Sequence, residues 1–464
     1  MSGADRPALT FLGGVGTVTG SKHLLDTGRS RVLLDCGLFQ GLSSLRRRNW
    51  AAPPVDWHTV DAVVITHAHL DHCGYLPVLA KHGWSGPVFV TDGTARLAEI
   101  VLADSAHLQE EDARFADAGG WSKHRPALPL YDARDASRAC DLFTPVRHGD
   151  AVPITDDVTL TFGRAGHILG SSWAQLTVSA RPGPRSVVIS GDLGRDGHPL
   201  LSAPQQRPDS DVLLIESTYG DRLRSDVDTL QALADCITRT AERGGSILVP
   251  AFAVDRTEVL LAALKSLRES GGIPDLPVVV DSPMALACLR VYREAISAGW
   301  PEIRPDLSLD VLSTEHVLEA HTAQESMRWN DPRMPSIVIS ASGMATGGRV
   351  LHHLKHMLPD RRHTVAVVGF AAAGTRARQL ADGAPHVKIH GEYVPVRAEV
   401  VVLDGFSAHA DSTELLAWAG GAPAPRTGYV VHGEQHSSEA LAARLHAELG
   451  WTAVVPREGE RVLI

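Results

Sequence analysis

The stretch Thr66-His67-Ala68-His69-Leu70-Asp71-His72-Cys73-Gly74 decides the fold of this chain. It has four side chains of metal-binding types within six positions, in the pattern H-x-H-x-D-H. The apolar run 63–65 comes directly before it and predicts a buried strand, so the polar cluster begins where that strand ends. His67 and His69 would point the same way from an extended segment and could bind one ion together. A helical turn after them would direct Asp71 and His72 towards a second ion.

The chemistry of these side chains favours a bound metal over a purely structural role. Imidazole and carboxylate suit zinc or manganese, and the chain has no closely spaced cysteines for an all-thiolate zinc site. The alternative is a polar loop whose histidines cap a helix. A single histidine would favour that alternative, whereas four ligand types this closely spaced predict a metal site.

The composition is that of a globular protein with large buried cores. The 464 residues are 44% hydrophobic and 21% charged, which argues against global disorder. The formal net charge of −10 argues against nucleic-acid binding through bulk charge, but it leaves room for a local basic groove and for the charge of bound metals. Five scattered cysteines, no secretion signal and no membrane-spanning run predict a cytoplasmic protein without membrane contact.

Several polar residues follow predicted strands at the point where each strand ends. Polar groups at the carboxyl ends of sheet strands meet on one rim, where the sites of α/β folds form. The residues in such positions are Asp35, His67, Asp192, Glu216 and His432. His167 and His409 lie in turns that could reach the same rim. Asp35 could be a simple turn residue or a carboxylate that supports the histidines from behind, and its position leaves both interpretations open.

The organisation of the chain changes near residue 209 and changes back near residue 390. Between these points apolar strands alternate with helical segments, which predicts a parallel sheet with crossover helices. The flanking parts, 1–208 and 391–464, share another pattern, in which apolar strands lead to turns with histidine and acidic residues. We therefore expect a separate α/β domain over 209–390.

Nine motifs together make a specific pattern. They are HAHLDH at 67–72, GHILGS at 166–171, SGDLGR at 190–195, ESTYGDR at 216–222, PAFAVDR at 250–256, DSPMA at 281–285, SASGM at 340–344, SAHAD at 407–411 and HGEQ at 432–435. Over essentially its whole length the chain resembles the metallo-β-lactamase-fold nucleases of the β-CASP family, which include ribonuclease J and the pre-mRNA 3′-end processing endonuclease. The resemblance implies an α/β fold, an αββα sandwich with an inserted α/β cap domain. No appended RNA-binding domain is recognisable, so we expect the shorter, stand-alone bacterial type.

Carried over residue by residue, the resemblance implies two metal sites that share one carboxylate. One site would be formed by His67, His69, His167 and Asp192, and the other by Asp71, His72, Asp192 and His432. The implied cofactors are two zinc ions per chain, with manganese as the alternative. The resemblance also implies catalytic roles, and we predict them for Asp71, His409, Glu216 and Asp35.

The substrate implied by the resemblance is single-stranded RNA. Family members with histidine at the position of His432 generally act on RNA, whereas the DNA-cutting branch generally has valine there. A two-metal-activated hydroxide would attack phosphorus and leave 5′-phosphate and 3′-hydroxyl ends. His409 would donate a proton or contact phosphate, with Glu216 as its hydrogen-bond partner. The sequence leaves open endonuclease or exonuclease action, the RNA target and whether the chain forms a homodimer.

Two other functions are considered. The first is a small-molecule metallohydrolase of the thioesterase or lactamase type on the same fold, and the second is a metal-free RNA-binding scaffold. The cap domain and the SAHAD and HGEQ motifs argue against the first. The complete set of ligand residues argues against the second.

Contacts to RNA are predicted away from the histidine motifs. The SASGM turn could hold a phosphate through Ser340, Ser342, Gly343 and Met344, although Ser342 could instead only cap a helix. Candidate contacts to the RNA backbone are Arg256, Arg349 and Arg376. The histidines of a predicted helix, His352, His353 and His356, are interpreted as solvated or RNA-facing rather than as ligands.

Overall fold

The chain folds into two compact units in the computed structural model, which describes residues 6–120, 122, 124–223 and 228–464. The first unit consists of Met1–Gln40, Ser44–Leu223 and His409–Ile464, and the second of Gly41–Ser43 and Arg224–Ala408. Residues 1–5, on which the expected lack of a secretion signal partly rests, lie outside the described residues. Among the described helices, none combines the length and the apolar character needed to cross a bilayer.

The strands of the described residues alternate with helices along most of the chain. In chain order the strands are β1 (Ala8–Gly13), β2 (Lys22–Asp26), β3 (Arg31–Leu34), β4 (Ala62–Val64), β5 (Val88–Val90), β6 (Phe143–Pro145), β7 (Ala151–Pro153), β8 (Val158–Arg164), β9 (Ser172–Val178), β10 (Arg185–Ile189), β11 (Val212–Glu216), β12 (Ile247–Pro250), β13 (Val278–Val280), β14 (Val317–Glu319), β15 (Ile337–Ser340), β16 (Thr364–Val368), β17 (His386–Ile389), β18 (Glu392–Pro395), β19 (Glu399–Leu403), β20 (Thr427–Val431), β21 (Ala453–Val454) and β22 (Arg461–Leu463).

The α-helices of the same residues are α1 (Ser43–Arg46), α2 (Leu70–Cys73), α3 (Leu76–Lys81), α4 (Asp92–Ala118), α5 (Ala133–Cys140), α6 (Thr229–Glu242), α7 (Arg256–Glu269), α8 (Pro283–Ala298), α9 (Ala323–Met327), α10 (Val350–Met357), α11 (Arg376–Ala381), α12 (Ser412–Gly420) and α13 (Gln435–Leu449). Short 3-10 helices occur at Arg47–Trp50, Trp57–Thr59, Leu309–Leu312 and Asp404–Phe406.

Two sheets pack face to face in the first unit and enclose its main core. Among the described residues, one sheet has seven strands in the order β22-β1-β2-β3-β4-β5-β6, and the other has seven in the order β21-β20-β11-β10-β9-β8-β7. Alternating side chains of both sheets meet in a shared core that includes Phe11, Leu34, Leu160, Ile189 and Leu214. This is the period-two pattern of strands that turn one face to a partner sheet.

Helices cover the outer faces of the two sheets. Val188 and Ile215 point away from the shared core and pack with Leu415 of α12 and Leu441 of α13. On the other sheet α4 contacts β6, and α5 packs on both α3 and α4. The order of layers is helix, sheet, sheet, helix, so the expected αββα sandwich is confirmed.

The second unit contains the parallel sheet predicted from the alternation of strands and helices. Its described residues form six strands in the order β14-β13-β15-β12-β16-β19, and every neighbouring pair is parallel. Leu248, Val338 and Val365 of this sheet share a core with Leu354 of α10. The antiparallel hairpin β17–β18 contributes Val387 and Val394 to the same core.

The longer segment of the second unit, Arg224–Ala408, begins and ends later along the chain than the predicted range 209–390. β11 pairs in parallel with β10 and β20, so it belongs to a sheet of the first unit. β19 pairs in parallel with β16 of the second unit. Both are short, largely apolar strands that lead to a polar residue, and such a strand has the same sequence character in either unit. The composition of the sequence therefore does not show at which residues the second unit begins and ends.

A buried carboxylate organises the core of the second unit. Asp281 follows β13 and is fully buried, and it accepts hydrogen bonds from Ser326 at 2.5 Å and Arg349 at 2.7 Å. Nε2 of His353 lies 2.6 Å from the same carboxylate. His353 is also fully buried, so its interpretation as solvated or RNA-facing is wrong, whereas His352 is exposed. Position 353 lies on the side of α10 that faces the core, together with Val350 and Met357.

Replacing Asp281 by alanine should destabilise the second unit strongly. The substitution leaves His353 and Arg349 without their shared anion, and breaking a buried pair in this way costs about 3–5 kcal/mol. Burial opposes ionisation of Asp281, but its bonds to His353, Ser326 and Arg349 lower the pKa of its carboxyl. The stabilisation is therefore present at neutral pH and is lost as pH falls below about 4. Urea unfolding at pH 7 measures the effect.

Asp306→Ala is the matched control because Asp306 is exposed and forms an ion pair with Arg304 at the surface. We expect it to leave the urea midpoint close to that of the unmodified chain, because exposed ion pairs contribute little to stability. Equal unfolding midpoints for the two variants would contradict the assigned role of Asp281.

Candidate metal centre

The HAHLDH stretch lies at the carboxyl end of β4 and turns directly into α2. His69 is the residue before α2 and has an extended conformation, and its carbonyl accepts hydrogen bonds from the N–H groups of His72 and Cys73. Asp71 and His72 lie inside the helix. The chain changes from extended to helical within the stretch, as expected, so the two pairs of side chains leave it in different directions.

Backbone contacts hold this stretch against the loop that follows β3. The Cys36 N–H donates to the carbonyl of His72 at 2.7 Å, and the Ser21 N–H donates to that of Asp71 at 2.9 Å. A β-carbon on Gly37 would lie 1.6 Å from the carbonyl oxygen of Asp71. Only glycine fits there, so the loop and the metal-binding stretch are packed as one element.

One group of potential ligands comprises His67, His69, His167 and Asp192. Nε2 of His67 lies 3.1 Å and Nε2 of His167 lies 3.3 Å from Nδ1 of His69. Oδ2 of Asp192 is 3.4 Å from Nε2 of His67 and 3.6 Å from Nε2 of His167. The structure thus brings together all residues of the first predicted site around one small volume.

A second group comprises Asp71, His72 and His432. The Nε2 atoms of His72 and His432 are 3.0 Å apart, and Oδ2 of Asp71 is 3.6 Å from Nε2 of His432. Oδ1 of Asp192 lies 3.3 Å from Nε2 of His72 and 3.3 Å from Nδ1 of His432. Asp192 therefore turns one oxygen to each group, which is the arrangement of a bridging ligand.

Asp35 contacts His72 on Nδ1, the ring nitrogen that faces away from the ligand group. Its Oδ2 lies 2.7 Å from Nδ1 of His72 and accepts a hydrogen bond from the Thr66 hydroxyl at 3.0 Å. Its Oδ1 accepts one from the Thr66 N–H at 2.8 Å, and the carboxylate is fully buried. A carboxylate on Nδ1 fixes the ring so that Nε2 is presented to an ion. The geometry favours this interpretation of Asp35 over that of a simple turn residue.

His409 and Glu216 form a separate pair at the edge of the cluster. Nδ1 of His409 lies 3.1 Å from Oε1 of Glu216, which also accepts the Leu193 N–H at 2.7 Å. The other carboxylate oxygen accepts the Thr218 N–H at 3.1 Å. Nε2 of His409 is 3.9 Å from Asp192, and its side chain is 14% exposed. One ring nitrogen is therefore held by Glu216 while the ring keeps access to solvent.

Burial and neighbouring charges set the protonation of the centre. Burial lowers the pKa of His69 to about 3 and lowers that of His67. Burial acts in the same direction on His72, but Asp192 and Asp35 outweigh it and raise the His72 pKa well above its usual value. Burial opposes ionisation of Asp192, yet the surrounding imidazoles, His432 first, hold its pKa well below the usual range. The protein therefore favours an ionised Asp192, the form that binds metals.

The donor set fits divalent metal ions. Oδ1 of Asp192 is buried and makes no hydrogen bond within the described residues, although two imidazole nitrogens lie near it. Buried carboxylates need compensating charge, and a cation between these groups would supply it. Imidazole nitrogens with carboxylate oxygens are a donor set that zinc and manganese accept.

The predicted phosphate contacts lie in the second unit. Ser340 is fully buried and its hydroxyl donates to the Asp281 carbonyl at 3.2 Å. The Ser342 hydroxyl lies 3.1 Å from that of Thr346, and Gly343 is buried against Phe252. The carbonyl of Met344 accepts the Ala377 N–H at 3.2 Å.

The candidate arginines also lie in the second unit. Arg256 is buried. Arg349 donates to Asp281 and to the carbonyls of Ala320 and His321, so its guanidinium is engaged inside the unit.

Sequence reasoning missed two threonines that position the centre. The Thr66 side chain joins Asp35 and lies 3.1 Å from Nδ1 of His67. Thr218 donates its N–H to Glu216 and has its hydroxyl 3.3 Å from Nδ1 of His432. The sequence feature that could have identified them is their position, because Thr66 directly precedes His67 and Thr218 lies two residues after Glu216.

A buried cluster of imidazoles and carboxylates at the rim of a two-sheet sandwich defines a metal-dependent hydrolase of the metallo-β-lactamase fold. Family models match the chain as a Beta-lactamase superfamily domain over residues 30–241, a Beta-Casp domain over 257–380 and a Zn-dependent metallo-hydrolase RNA specificity domain over 393–456. Together with its relatives, these matches show that the chain belongs to the β-CASP family of metallo-β-lactamase-fold nucleases, which confirms the resemblance seen in its motifs.

The relatives span the chain almost end to end. Ribonuclease TTHA0252 of Thermus thermophilus is 37% identical over 454 residues, which cover 96% of this chain and 97% of the relative. An RNase J-like protein of Methanocaldococcus jannaschii is 30% identical over 455 residues, which cover 97% of this chain and 98% of the relative. Transcription termination factor FttA of the same organism is 30% identical over 439 residues, which cover 92% of this chain and 67% of the factor.

Replacing Asp192 by alanine should weaken metal binding in both groups at once. Each group loses one carboxylate oxygen, and the imidazoles lose the anion that compensates a bound cation. Metal analysis after dialysis against a fixed free-zinc concentration measures the retained ions per chain. Asp150→Ala, at an exposed aspartate of the same unit, should retain as much metal as the unmodified chain. Two tightly bound ions in Asp192→Ala would rule out a shared ligand.

Proposed function

We propose that this chain is a metal-dependent ribonuclease that cleaves single-stranded RNA and leaves 5′-phosphate and 3′-hydroxyl ends. The observation that carries the proposal is the buried Asp192 carboxylate with a ligand group on each oxygen, beside the Glu216–His409 pair. Two relatives that are named as ribonucleases match this chain over nearly their whole length, which supports RNA as the substrate. The match to an RNA specificity domain over 393–456 supports it as well.

We propose two zinc ions per chain, one in each ligand group. His67, His69 and His167 would hold one ion and Asp71, His72 and His432 the other, with Asp192 shared. When bound, such ions would lower the pKa of a metal-bound water to about 7 and would neutralise charge on the phosphate. The large share of imidazole among the ligands favours zinc over manganese.

The residues of the chain itself supply orientation and a proton. Asp35 keeps the His72 ring oriented, so that its Nε2 faces the ligand group. Glu216 accepts a hydrogen bond from Nδ1 of His409 and stabilises the protonated ring. Nε2–H of that ring then donates its proton to the 3′ oxygen that leaves the phosphorus. Asp71, with one oxygen near His432, would orient the attacking water as well as bind metal.

We also propose that the SASGM turn binds a phosphate of the same RNA. Backbone N–H groups of Ser342, Gly343 and Met344 and the Ser342 hydroxyl would form the contact. The buried Ser340 hydroxyl is engaged with the Asp281 carbonyl, so Ser340 would contribute by supporting the turn.

The cysteines favour the cytoplasm as the place of action. None of the five forms a disulfide within the described part of the chain, and four of them are buried. Cysteines without disulfides are typical of a reducing compartment.

Single-stranded RNA labelled at its 3′ end, with either a 5′-phosphate or a 5′-hydroxyl, tests the proposal directly. Zinc-loaded protein should cleave it, and the 3′ fragments should carry 5′-phosphates that a phosphate-dependent exonuclease can use. Dependence on the 5′ group and the fragment lengths distinguish exonuclease from endonuclease action. Hydrolysis of thioesters or β-lactams with no cleavage of RNA would replace the proposal by the small-molecule alternative.

His409→Ala should lower the rate of the chemical step by about 10²–10⁴-fold, the usual contribution of one acid–base group. Its metal content should stay unchanged, because Nε2 of His409 lies 3.9 Å from Asp192 and the ring belongs to neither ligand group. His432→Ala should lose metal from the second group. Single-turnover cleavage and metal analysis measure the two effects.

His436→Ala is the control for these two variants, since His436 is an exposed histidine of the same unit. It should cleave RNA and retain metal as the unmodified chain does. Loss of metal from His409→Ala to the extent seen in His432→Ala would refute the proton-donor role.

A further inference from the structure

The hairpin β17–β18 presents exposed polar and aromatic side chains on its outer side. Val387, Ile389 and Val394 point into the core of the second unit. Lys388 and Tyr393 are directly paired across the two strands and point outwards. Tyr393 is 72% exposed, and Nζ of Lys388 lies 5.7 Å from the centre of its ring. An exposed aromatic ring offers a flat face on which another ring can stack.

Two histidines continue this surface onto α10. The rings of His352 and His390 lie 4.8 Å apart at an angle of 45°, and both residues are exposed. Burial first, and then neighbouring positive charges, lower the pKa of each, so both rings are neutral at physiological pH. Neutral imidazoles offer flat, uncharged faces rather than additional cations. We call α10 together with this hairpin the hairpin face.

The charge of the hairpin face is positive, although the net charge of the chain is −10. Lys388 and Lys355 are its cations, and Glu392 is paired with Lys355 at 2.8 Å. Arg376 adds a third positive charge next to β17. An exposed aromatic ring with cations beside it fits a polyanion that also has flat rings.

The hairpin face is physically joined to the turn proposed to bind phosphate. The Arg376 guanidinium donates to the Lys388 carbonyl at 2.6 Å and to the Ala345 and Thr346 carbonyls at 3.1 and 3.2 Å. Ala345 directly follows the SASGM turn. A strand of RNA bound at that turn could therefore continue onto the hairpin within the same unit.

We propose that the hairpin face is a second binding surface for single-stranded RNA. Tyr393 and the His352–His390 pair stack on bases, while Lys388 and Lys355 contact backbone phosphates. This inference rests on the proposed ribonuclease function for the identity of its ligand. The surface adds affinity for longer RNA and takes no part in the chemical step, because every residue of the two ligand groups belongs to the first unit.

The test measures binding apart from cleavage. Fluorescence anisotropy follows a labelled single-stranded phosphorothioate RNA, which resists hydrolysis, on the metal-loaded full chain. Tyr393→Ala should weaken binding about 5- to 50-fold, the loss expected for one stacked base, and Tyr393→Phe should bind as the unmodified chain does. Lys388→Gln should reduce the slope of log affinity against log salt by about 0.7, the value for one phosphate contact on a single strand.

Substrate length separates this surface from the site of cleavage. Tyr393→Ala should cleave an RNA of about five nucleotides normally and lose efficiency on a longer strand, since only the longer one can cover several stacked bases. Phe115→Ala, at an aromatic residue that is 56% exposed on the acidic end of α4, should bind and cleave both as the unmodified chain does. Thermal melting confirms that each variant is folded.

The outcomes distinguish this inference from the ribonuclease proposal. Unchanged binding and unchanged salt slope in Tyr393→Ala and Lys388→Gln would overturn the RNA surface, whether or not the chain cleaves RNA. A change from dimer to monomer in Tyr393→Ala, seen by sedimentation velocity with RNA affinity retained, would overturn it in favour of a second copy of this chain. Binding losses as expected in a chain that cleaves no RNA would leave the surface standing and refute only the catalytic proposal.

Discussion

The burial of the Asp192 carboxylate among imidazole rings is the constraint on which the centre depends. Its side chain is 2% exposed, and ring nitrogens of five histidines lie 3.3–3.9 Å from it, those of His67, His72, His167, His409 and His432. A carboxylate removed from water is costly unless its charge is compensated. Burial lowers the pKa of His67 and of His167, so these rings would supply lone pairs and a bound cation would complete the compensation. Ion binding and the stability of this region are therefore thermodynamically linked.

The sandwich satisfies this constraint because parallel strands end at a common edge. β3 and β4 are parallel neighbours and lead to Asp35 and His67, while β10, β11 and β20 are parallel neighbours and lead to Asp192, Glu216 and His432. Two of these residues lie in the left-handed region of the backbone, Asp35 with φ 57° and His432 with φ 48°. Such conformations cost on the order of 1–3 kcal/mol each. The buried hydrogen bonds of Asp35 and the packing of His432 hold them in place.

Much of this centre is predictable because it follows a simple rule of sequence, an acid or histidine directly after an apolar strand. Asp281 shows the limit of that rule. It follows β13 in the same way, yet it lies in the second unit, where it pairs with Arg349 and contacts His353 instead of facing an imidazole cluster. A strand-end acid therefore predicts that a partner is needed, but which partner it meets depends on the topology of the sheets. The sequence of a strand does not show which unit the strand joins either, since β11 and β19 have similar apolar sequences and belong to different units.

The roles of histidines inside a helix are even harder to predict, because the sequence does not show which side of the helix is buried. His352 and His353 are adjacent in the chain, and one is exposed while the other is fully buried. The contacts of the Thr66 and Thr218 hydroxyl groups are equally hard to predict from the sequence, although both residues lie close in the chain to residues of the centre. Each binds a residue of the centre through contacts that only the folded backbone creates.

The chain uses one chemical unit, a buried carboxylate on Nδ1 of an imidazole, at two places with different results. Asp35 and Glu216 are both fully buried, and both also accept backbone N–H groups, so neither is free to move. On His72 the opposite nitrogen is enclosed, 3.0 Å from His432 and 3.3 Å from Asp192. On His409 it is 3.9 Å from Asp192 on a ring that reaches solvent. A nitrogen directed into a closed set of ligands can only coordinate, whereas one at the open edge can exchange a proton with what enters. In the proposed mechanism, the position of the ring relative to the rim, and not the carboxylate that holds it, would separate a ligand from a proton donor.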